Sequence, residues 1–203
     1  MHDPRIDQLA RQLVRYSTAT KRGENVLIEL FDVPEEMGIA LIREIRAVKA
    51  TPFINIHNAK ISREMGRRAT EEQYAAIAKN AMHQMKNMDC YIAIRGSHNV
   101  NELSDVPAKK MQMLSTKMRP VLNERVNKTR WCVLRWPNPS MAQSAGMSTE
   151  AFEDFYFRVC LLEYKKLSRG MDALAKLMTE TNDVHIMGPG TDLRFSIAGL
   201  PGI

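Results

Sequence analysis

The chain has 203 residues and a formal net charge of +6. Its 44% hydrophobic and 26% charged residues are ordinary for a globular protein, which excludes intrinsic disorder and collagen-like sequence. No apolar run approaches the roughly 18–20 residues of a membrane helix, and the charged, amphipathic N-terminus is not a signal peptide. We therefore expect a cytoplasmic protein without a membrane partner. The length is enough for one large domain, or for one domain and the start of another.

The basic surplus does not indicate a nucleic-acid partner. It is spread along the whole chain, and its one cluster comprises Lys60, Arg63, Arg67 and Arg68. Glu64 interrupts this cluster, and no aromatic residue is interleaved that could stack on a base. A solvated helical surface is therefore the better interpretation of these residues.

The first part of the chain alternates between helical and strand-like patterns. Asp3 and Pro4 are a favourable helix start, and apolar residues at helical spacing predict a helix over 4–18. The short apolar run NVLIEL (25–30) predicts a buried strand. A second helix is expected after it, capped around Asp32–Glu35, and PFINI (52–56) predicts the second strand.

The same alternation continues to residue 136. The run Thr70–Gln73 is a capping box that starts a third helix, and DCYIAIRG (89–96) predicts the third strand. Ser104 or Asp105 is expected to cap the next helix. Because proline disrupts a helix interior, we expect Pro120 to begin a separate short helix. TRWCVLRW (129–136) predicts the fourth strand.

Strands that alternate with helices favour parallel pairing through right-handed crossovers. The predicted fold is therefore an α/β, doubly wound, mainly parallel sheet flanked by helices, a Rossmann-like arrangement of three layers. Beyond it, Ser148 is expected to start a helix that buries Phe152, Phe155, Val159 and Leu162, and a further helix is expected over 168–180.

The end of the chain predicts the start of a second domain. DVHIM (183–187) and DLRFSI (192–197) flank a Gly-Pro-Gly turn, which is typical of a β-hairpin. An isolated hairpin is marginal in water and leaves open edges. We therefore predict an N-terminal α/β domain over 1–182 and the incomplete, truncated beginning of a second domain over 183–203.

Residue chemistry alone reveals no active site. No G-x-G-x-x-G or G-K-[ST] phosphate loop occurs, and Gly96-Ser97 is the one candidate phosphate-facing turn. No two of the five histidines are spaced i, i+4 as in a zincin helix; His57 and His98 lie at strand ends, where a locally hydrogen-bonded role is the more common one.

Cys90, Cys132 and Cys160 are dispersed in apolar stretches, as buried, reduced thiols are. We assign no catalytic, cofactor-binding or metal-ligating residue.

One stretch carries a specific resemblance. The segment RWPNPSMAQSAGMSTEAFEDFYFRVC (135–160) resembles the metallo-aminopeptidases of the aminopeptidase T, aminopeptidase S and aminopeptidase II type. The residues that match the family's motif are Pro137, Pro139, Ala142, Gln143, Ala145, Gly146, Met147, Glu150, Phe152, Phe155 and Phe157. The first helix, GENVLIEL, RGSHNVNELSDVP (95–107) and GPGTDLRFSI (188–197) are also similar to family segments, so the resemblance extends over nearly the whole chain.

The resemblance implies the N-terminal, non-catalytic part of an aminopeptidase that removes N-terminal amino acids from peptides. It implies a homodimer and two divalent metal ions (zinc, cobalt, magnesium or manganese) held by glutamate, histidine and aspartate ligands. In the family those ligands lie in the second domain, downstream of position 203, so we expect no metal and no activity in this chain alone. The alternative is a stand-alone α/β domain that binds a ligand or another protein and lacks hydrolase activity.

Overall fold

All four predicted strands form one parallel sheet, in the order β2-β1-β3-β4. They are β1 (Asn25–Phe31), β2 (Thr51–His57), β3 (Cys90–Arg95) and β4 (Arg130–Arg135). After β1 the chain forms β2 on one edge of β1, and it then crosses over to form β3 on the other edge. The carboxyl ends of β1 and β3 therefore form the topological switch point of the sheet, and the doubly wound prediction is confirmed.

The computed structural model describes residues 3–200. The predictions that concern His2 and residues 201–203 therefore lie outside the described residues. Eight α-helices occur in the described part: α1 (Pro4–Gln12), α2 (Glu35–Ala47), α3 (Ala59–Arg68), α4 (Glu71–Met85), α5 (Ala108–Lys128), α6 (Pro139–Ser144), α7 (Thr149–Cys160) and α8 (Tyr164–Glu180). No helix of this part is long and apolar enough to cross a membrane.

The sheet separates two apolar layers because successive side chains of a strand point to opposite faces. On one face Val26, Ile28 and Leu30 of β1 pack in a cluster with residues of α1, α2 and α7. On the other face Leu27 of β1 and Tyr91 of β3 pack with residues of α4 and α5. The three-layer architecture therefore follows from the alternation along β1 and β3; five of the six residues of β3 are buried, and the seven residues of β1 are buried or half-buried.

The prediction that Pro120 begins a separate helix is wrong. Helix α5 runs without interruption from Ala108 to Lys128 and contains Pro120 in its interior. Proline removes the hydrogen bond to the carbonyl four residues earlier, but Pro120 and Thr116 lie on the exposed side, where water can satisfy that carbonyl. The next residue, Val121, is buried against the sheet, and this packing keeps the helix continuous.

Three predicted helix starts and ends also differ. The first helix is α-helical only to Gln12 and continues as a π-helical turn over Leu13–Ser17. Helices α2 and α5 have Pro34 and Pro107 at their N-cap positions without a side-chain cap, so neither Asp32–Glu35 nor Ser104 or Asp105 acts as predicted. The carboxylate of Asp32 instead accepts a hydrogen bond from the backbone N–H of Ala59, whose nitrogen lies 3.2 Å from Oδ1 and 3.3 Å from Oδ2. This bond joins the end of β1 to the start of α3.

Helix α7 buries a different face from the one that its spacing predicted. Phe152, Tyr156 and Phe157 are buried, whereas Phe155 and Val159 are exposed. Tyr156 donates a hydrogen bond to the carbonyl oxygen of Arg135 at 2.5 Å, which fixes α7 against the end of β4. The predicted helix is therefore confirmed, but three of the four residues predicted to be buried, Phe155, Val159 and Leu162, are exposed, and a polar contact fixes the helix in place.

A second compact unit begins at Leu162, after the four-stranded unit ends at Leu161. It contains α8 and the predicted hairpin, in which β5 (Asp183–Gly188) pairs antiparallel with β6 (Thr191–Ser196). The predicted helix over 168–180 lies within α8, which starts four residues earlier. The domain boundary at 182/183 concerns the complete protein and stays a prediction.

A close backbone contact at the switch point generates the first prediction. A Cβ on Gly96 would lie 2.3 Å from the backbone oxygen of Asp32. Because the clash is with backbone, it is relieved only if one of the two strand ends moves. We expect Gly96→Ala to lower the free energy of unfolding by about 1–3 kcal/mol, as overpacking does. Gly170→Ala is the control, because a Cβ there meets nothing within 4 Å and alanine is favoured in a helix. Denaturant unfolding measures both; an unchanged midpoint for Gly96→Ala would contradict the contact.

A second prediction concerns the hairpin. Its strands pair only with each other among the described residues, and Ile186, Met187, Leu193 and Phe195 are exposed. Such apolar edges promote association, so deletion of residues 183–203 should raise solubility and leave the cooperative thermal transition of the four-stranded unit intact. Calorimetry and light scattering measure the two effects. Loss of the transition would instead assign the hairpin to the first core.

Candidate functional site

A cleft of about 470 Å³ lies on the face of the sheet covered by α4 and α5. Its floor carries polar or aromatic side chains from the three neighbouring strands β1, β2 and β3: Glu29, Phe31, Asn55, His57 and Tyr91. They project to one face because Glu29 pairs in register with Asn55 and Phe31 with His57. The cleft therefore extends from mid-strand to the carboxyl edge, where open α/β sheets bind their ligands.

Glu29 is the centre of a hydrogen-bond network on this floor. Tyr91 donates its hydroxyl proton to Oε2 of Glu29 at 2.5 Å, and Nε2 of His57 lies 3.4 Å from Oε1. Asn55 reaches the same Oε1 at 3.5 Å and donates to Oε1 of Gln84 at 2.9 Å, which connects β2 to α4. A carboxylate in the middle of strand β1 thus receives one short hydrogen bond from β3 and two long contacts from β2.

The network determines the protonation of its members. Burial raises the pKa of Glu29, but the hydrogen bonds from His57 and Tyr91 and the charge of His57 outweigh it and hold the pKa below its ordinary value. Burial raises the pKa of Tyr91, and the neighbouring Glu29 charge raises it further. At neutral pH the site therefore contains an ionised carboxylate and a neutral phenol.

Two arginines lie against the aromatic rings of the cleft. The guanidinium of Arg125, from α5, lies 4.6 Å from the centroid of the Tyr91 ring, and that of Arg95 lies 5.6 Å from the Phe31 centroid. His57 stacks on Phe31 with 4.3 Å between ring centroids and 9° between the planes. The floor thus presents negative charge at Glu29 and positive charge at its rim.

The predicted phosphate-facing turn has a different role. Gly96 donates its N–H to the Phe31 carbonyl at 2.7 Å, and its missing Cβ admits the Asp32 backbone. Gly96 and Ser97 line a smaller cavity of about 380 Å³, which shares Phe31, His57 and Arg95 with the cleft. The close approach of two strand ends therefore explains the glycine at this position, and a bound phosphate is not required to explain it.

The described residues do not fit a metal centre. They contain no group of three or more histidine, cysteine, aspartate or glutamate side chains that could hold an ion. Glu29 and His57 make one pair, and His185 and Asp192 of the hairpin make another, with 2.7 Å between Nε2 and Oδ1. Two ligands in each place fall short of the several that a zinc or two-metal site requires.

The thiols do not supply a nucleophile. All three cysteines are free; Cys90 is buried, and Cys132 and Cys160 are half-buried. Burial raises the pKa of each thiol, and the hydrogen bond from Thr20 to Cys90 does not reverse this. A thiol with a raised pKa is a poor nucleophile at neutral pH.

Of the residues that the sequence singled out, the structure brings only His57 into the cleft; His98 is exposed and does not line it. No pattern in the sequence singled out Glu29, Asn55, Tyr91 or Arg125, which also line the cleft. Glu29 carried a signal, since it is the one charged residue inside the apolar run NVLIEL. Arg125 carried none, because its distance from Tyr91 along the sequence hides their contact.

A family model described as thermophilic metalloprotease (M29) matches residues 2–199. Among solved structures, wild-type AmpT from Thermus thermophilus is similar, with a TM-score of 0.76 and 18% sequence identity. The match covers 96% of this chain and 54% of that chain, so the present chain spans about half the length of that protein. No curated protein matches.

The Glu29 network generates a pH-dependent prediction. A carboxylate whose pKa is lower in the folded state stabilises the fold above its ordinary pKa of 4.5, and this contribution disappears as pH falls through the folded-state value. We expect Glu29→Gln to lower the free energy of unfolding by about 1–3 kcal/mol at pH 7, and by progressively less below pH 4.5.

The matched control for this experiment is Glu36→Gln, at an exposed position in the first turn of α2. Its effect should stay within about 0.5 kcal/mol, as for other surface substitutions. Denaturant unfolding between pH 3 and pH 7 measures both variants. A constant difference between wild type and Glu29→Gln across that range would contradict an ionised, hydrogen-bonded Glu29.

Proposed function

This chain belongs to the thermophilic metalloprotease (M29) family, and from that premise we propose that it is the N-terminal, non-catalytic part of a metal-dependent aminopeptidase. The complete protein would remove N-terminal amino acids from peptides. The observation that supports the proposal most strongly is the family match over residues 2–199. The similarity of fold to a protein nearly twice as long supports the assignment to a part of a larger enzyme.

The metal centre is proposed for the complete protein. Two divalent ions (zinc, cobalt, magnesium or manganese) would supply a polarised carbonyl and an activated water there. The described residues of this chain provide pairs of ligand-type side chains but no larger group, so we assign none of them to these ions. On this proposal residues 183–203 are the beginning of the metal-binding domain.

We further propose peptide substrates, a homodimer and a cytoplasmic location for the complete protein. Exposed apolar residues support association of subunits: Phe155 and Val159 of α7, and Leu174, Leu177 and Met178 of α8. Sedimentation analysis of the complete protein tests the dimer.

The alternative function is a stand-alone α/β domain that binds a ligand and has no hydrolase activity. The observation that favours it is the cleft around Glu29. A hydrophobic core is stable without a buried carboxylate, so a carboxylate beside an open cavity indicates a ligand-binding site. The two proposed functions predict different sequences for the complete reading frame. Further histidine, aspartate and glutamate segments beyond position 203 would favour the aminopeptidase, and a natural stop there would favour the binding domain.

The proposal predicts that this chain alone binds no zinc, cobalt or manganese stoichiometrically and cleaves neither a leucine anilide nor a dipeptide. The physical reason is that no set of ligands converges among its described residues. Metal analysis after dialysis and an aminopeptidase assay with each metal measure the two properties. The positive control is the protein translated from the complete reading frame, which should show turnover that a chelator abolishes.

Two outcomes would contradict this proposal. Stoichiometric metal with chelator-sensitive turnover by the 203-residue chain would show a catalytic site within it. Absence of any turnover by the complete protein with every metal tested would favour the binding-domain function instead.

A further inference from the structure

The cleft around Glu29 contains more polar chemistry than the packing of α4 and α5 on the sheet requires. Core packing would be served by apolar residues at the positions of Glu29 and Asn55, as it is at Leu27 two residues earlier. Burial of a charged group costs free energy unless its bonds are satisfied. The unfilled hydrogen-bonding capacity in the cleft therefore indicates what a ligand would offer.

Glu29 has capacity for one strong donor. Its Oε2 receives the short bond from Tyr91, whereas Oε1 receives His57 and Asn55 at 3.4 and 3.5 Å. Both distances lie beyond the usual range of about 2.7–3.2 Å for an N–H to oxygen bond. Because a carboxylate oxygen has two acceptor sites, Oε1 can accept a shorter, charge-assisted bond from an ammonium group.

Arg125 has the complementary capacity. Its Nε is buried and has no hydrogen-bond partner within the described range 3–200. A guanidinium pairs best with a planar carboxylate, to which it donates two parallel bonds. Arg125 lies on the face of the Tyr91 ring, and Glu29 lies at the hydroxyl of the same ring. Glu29 and Arg125, an acceptor for a cation and a donor for an anion, therefore contact the same tyrosine, and Arg125 also hydrogen-bonds to its hydroxyl.

The remaining walls of the cleft are apolar. Ile77 of α4 and Met118 and Leu122 of α5 line it beside the charged pair, and the side chains of Met118 and Leu122 lie on one face of α5 because they are four residues apart. A volume of about 470 Å³ is in the range of small-molecule sites. Methionine adapts its shape, so side chains of somewhat different length can be accommodated.

We propose that this cleft binds a free α-amino acid with an apolar side chain, with its ammonium group on Glu29, its carboxylate on Arg125 and its side chain against Ile77, Met118 and Leu122. The choice of an amino acid among zwitterions rests on the proposed function, since an aminopeptidase releases such molecules as products.

The ligand requirement is tested by calorimetric titration of the 203-residue chain with L-leucine and L-methionine. N-acetyl-L-leucine lacks the ammonium group, L-leucinamide lacks the carboxylate, and glycine lacks the side chain. We expect saturable binding of leucine and methionine, and binding at least about 10-fold weaker for each of the three derivatives, as expected for loss of one charged bond or of the apolar contact. Equal affinity for all five compounds, or no saturable binding of leucine at millimolar concentration, would overturn the proposal.

The residue assignment is tested by Glu29→Gln and Arg125→Met, which preserve side-chain size. Each should raise the Kd for leucine about 10- to 100-fold. Arg119→Met, at an exposed position of the same helix, and Glu36→Gln are the controls and should leave the Kd unchanged. Circular dichroism shows whether each variant is folded, and the derivative series on the unmodified chain decides the question should a variant not fold. An unchanged Kd in both folded variants would place the ligand elsewhere and refute the site.

These titrations involve neither metal nor peptide hydrolysis, so the two proposals can fail separately. Leucine binding that depends on Glu29 and Arg125, in a protein whose complete form has no peptidase activity, would overturn only the proposed function. An active complete enzyme whose 203-residue part binds no amino acid would overturn only the assignment of the cleft.

Discussion

The alternation of side chains along β1 is the constraint on which the rest of the structure depends. Val26, Ile28 and Leu30 face one apolar layer, while Leu27 and Glu29 face the other. Because β1 is paired on both edges, a shift of one residue would exchange these two sets and place a carboxylate under α2. The polar network therefore specifies the register of the sheet as well as the site, since only one register gives Glu29 its partners.

The sequence was sufficient for the architecture because hydrophobic periodicity is a local property. Each strand lies within one or two residues of its predicted position, and the hairpin forms as its turn residues indicated. The errors at Pro120 and α7 share one cause. In both, packing or hydrogen bonding with a distant part of the chain, through Val121 or through Tyr156 and Arg135, outweighs a local preference.

The candidate site could not be predicted in the same way, because its contacts join residues that lie far apart in sequence. Glu29 and Tyr91 are separated by 62 positions, and Glu29 and His57 by 28. Their meeting depends on strand order, which places β1 between β2 and β3. A charged residue in an apolar run was visible, but its partners became evident only when the pairing of strands was known.

Glu29 and Tyr91 of the cleft are each held in one protonation state at neutral pH. Tyr91 retains its proton because burial, and then the charge of the neighbouring carboxylate, raise its pKa; the hydrogen bonds from His57 and Tyr91 hold the pKa of Glu29 low despite its burial. General acid–base catalysis instead requires a group poised to gain and lose a proton near neutral pH. The pair exchanges no proton in that range, and its polarity is therefore suited to holding a charged ligand in one orientation.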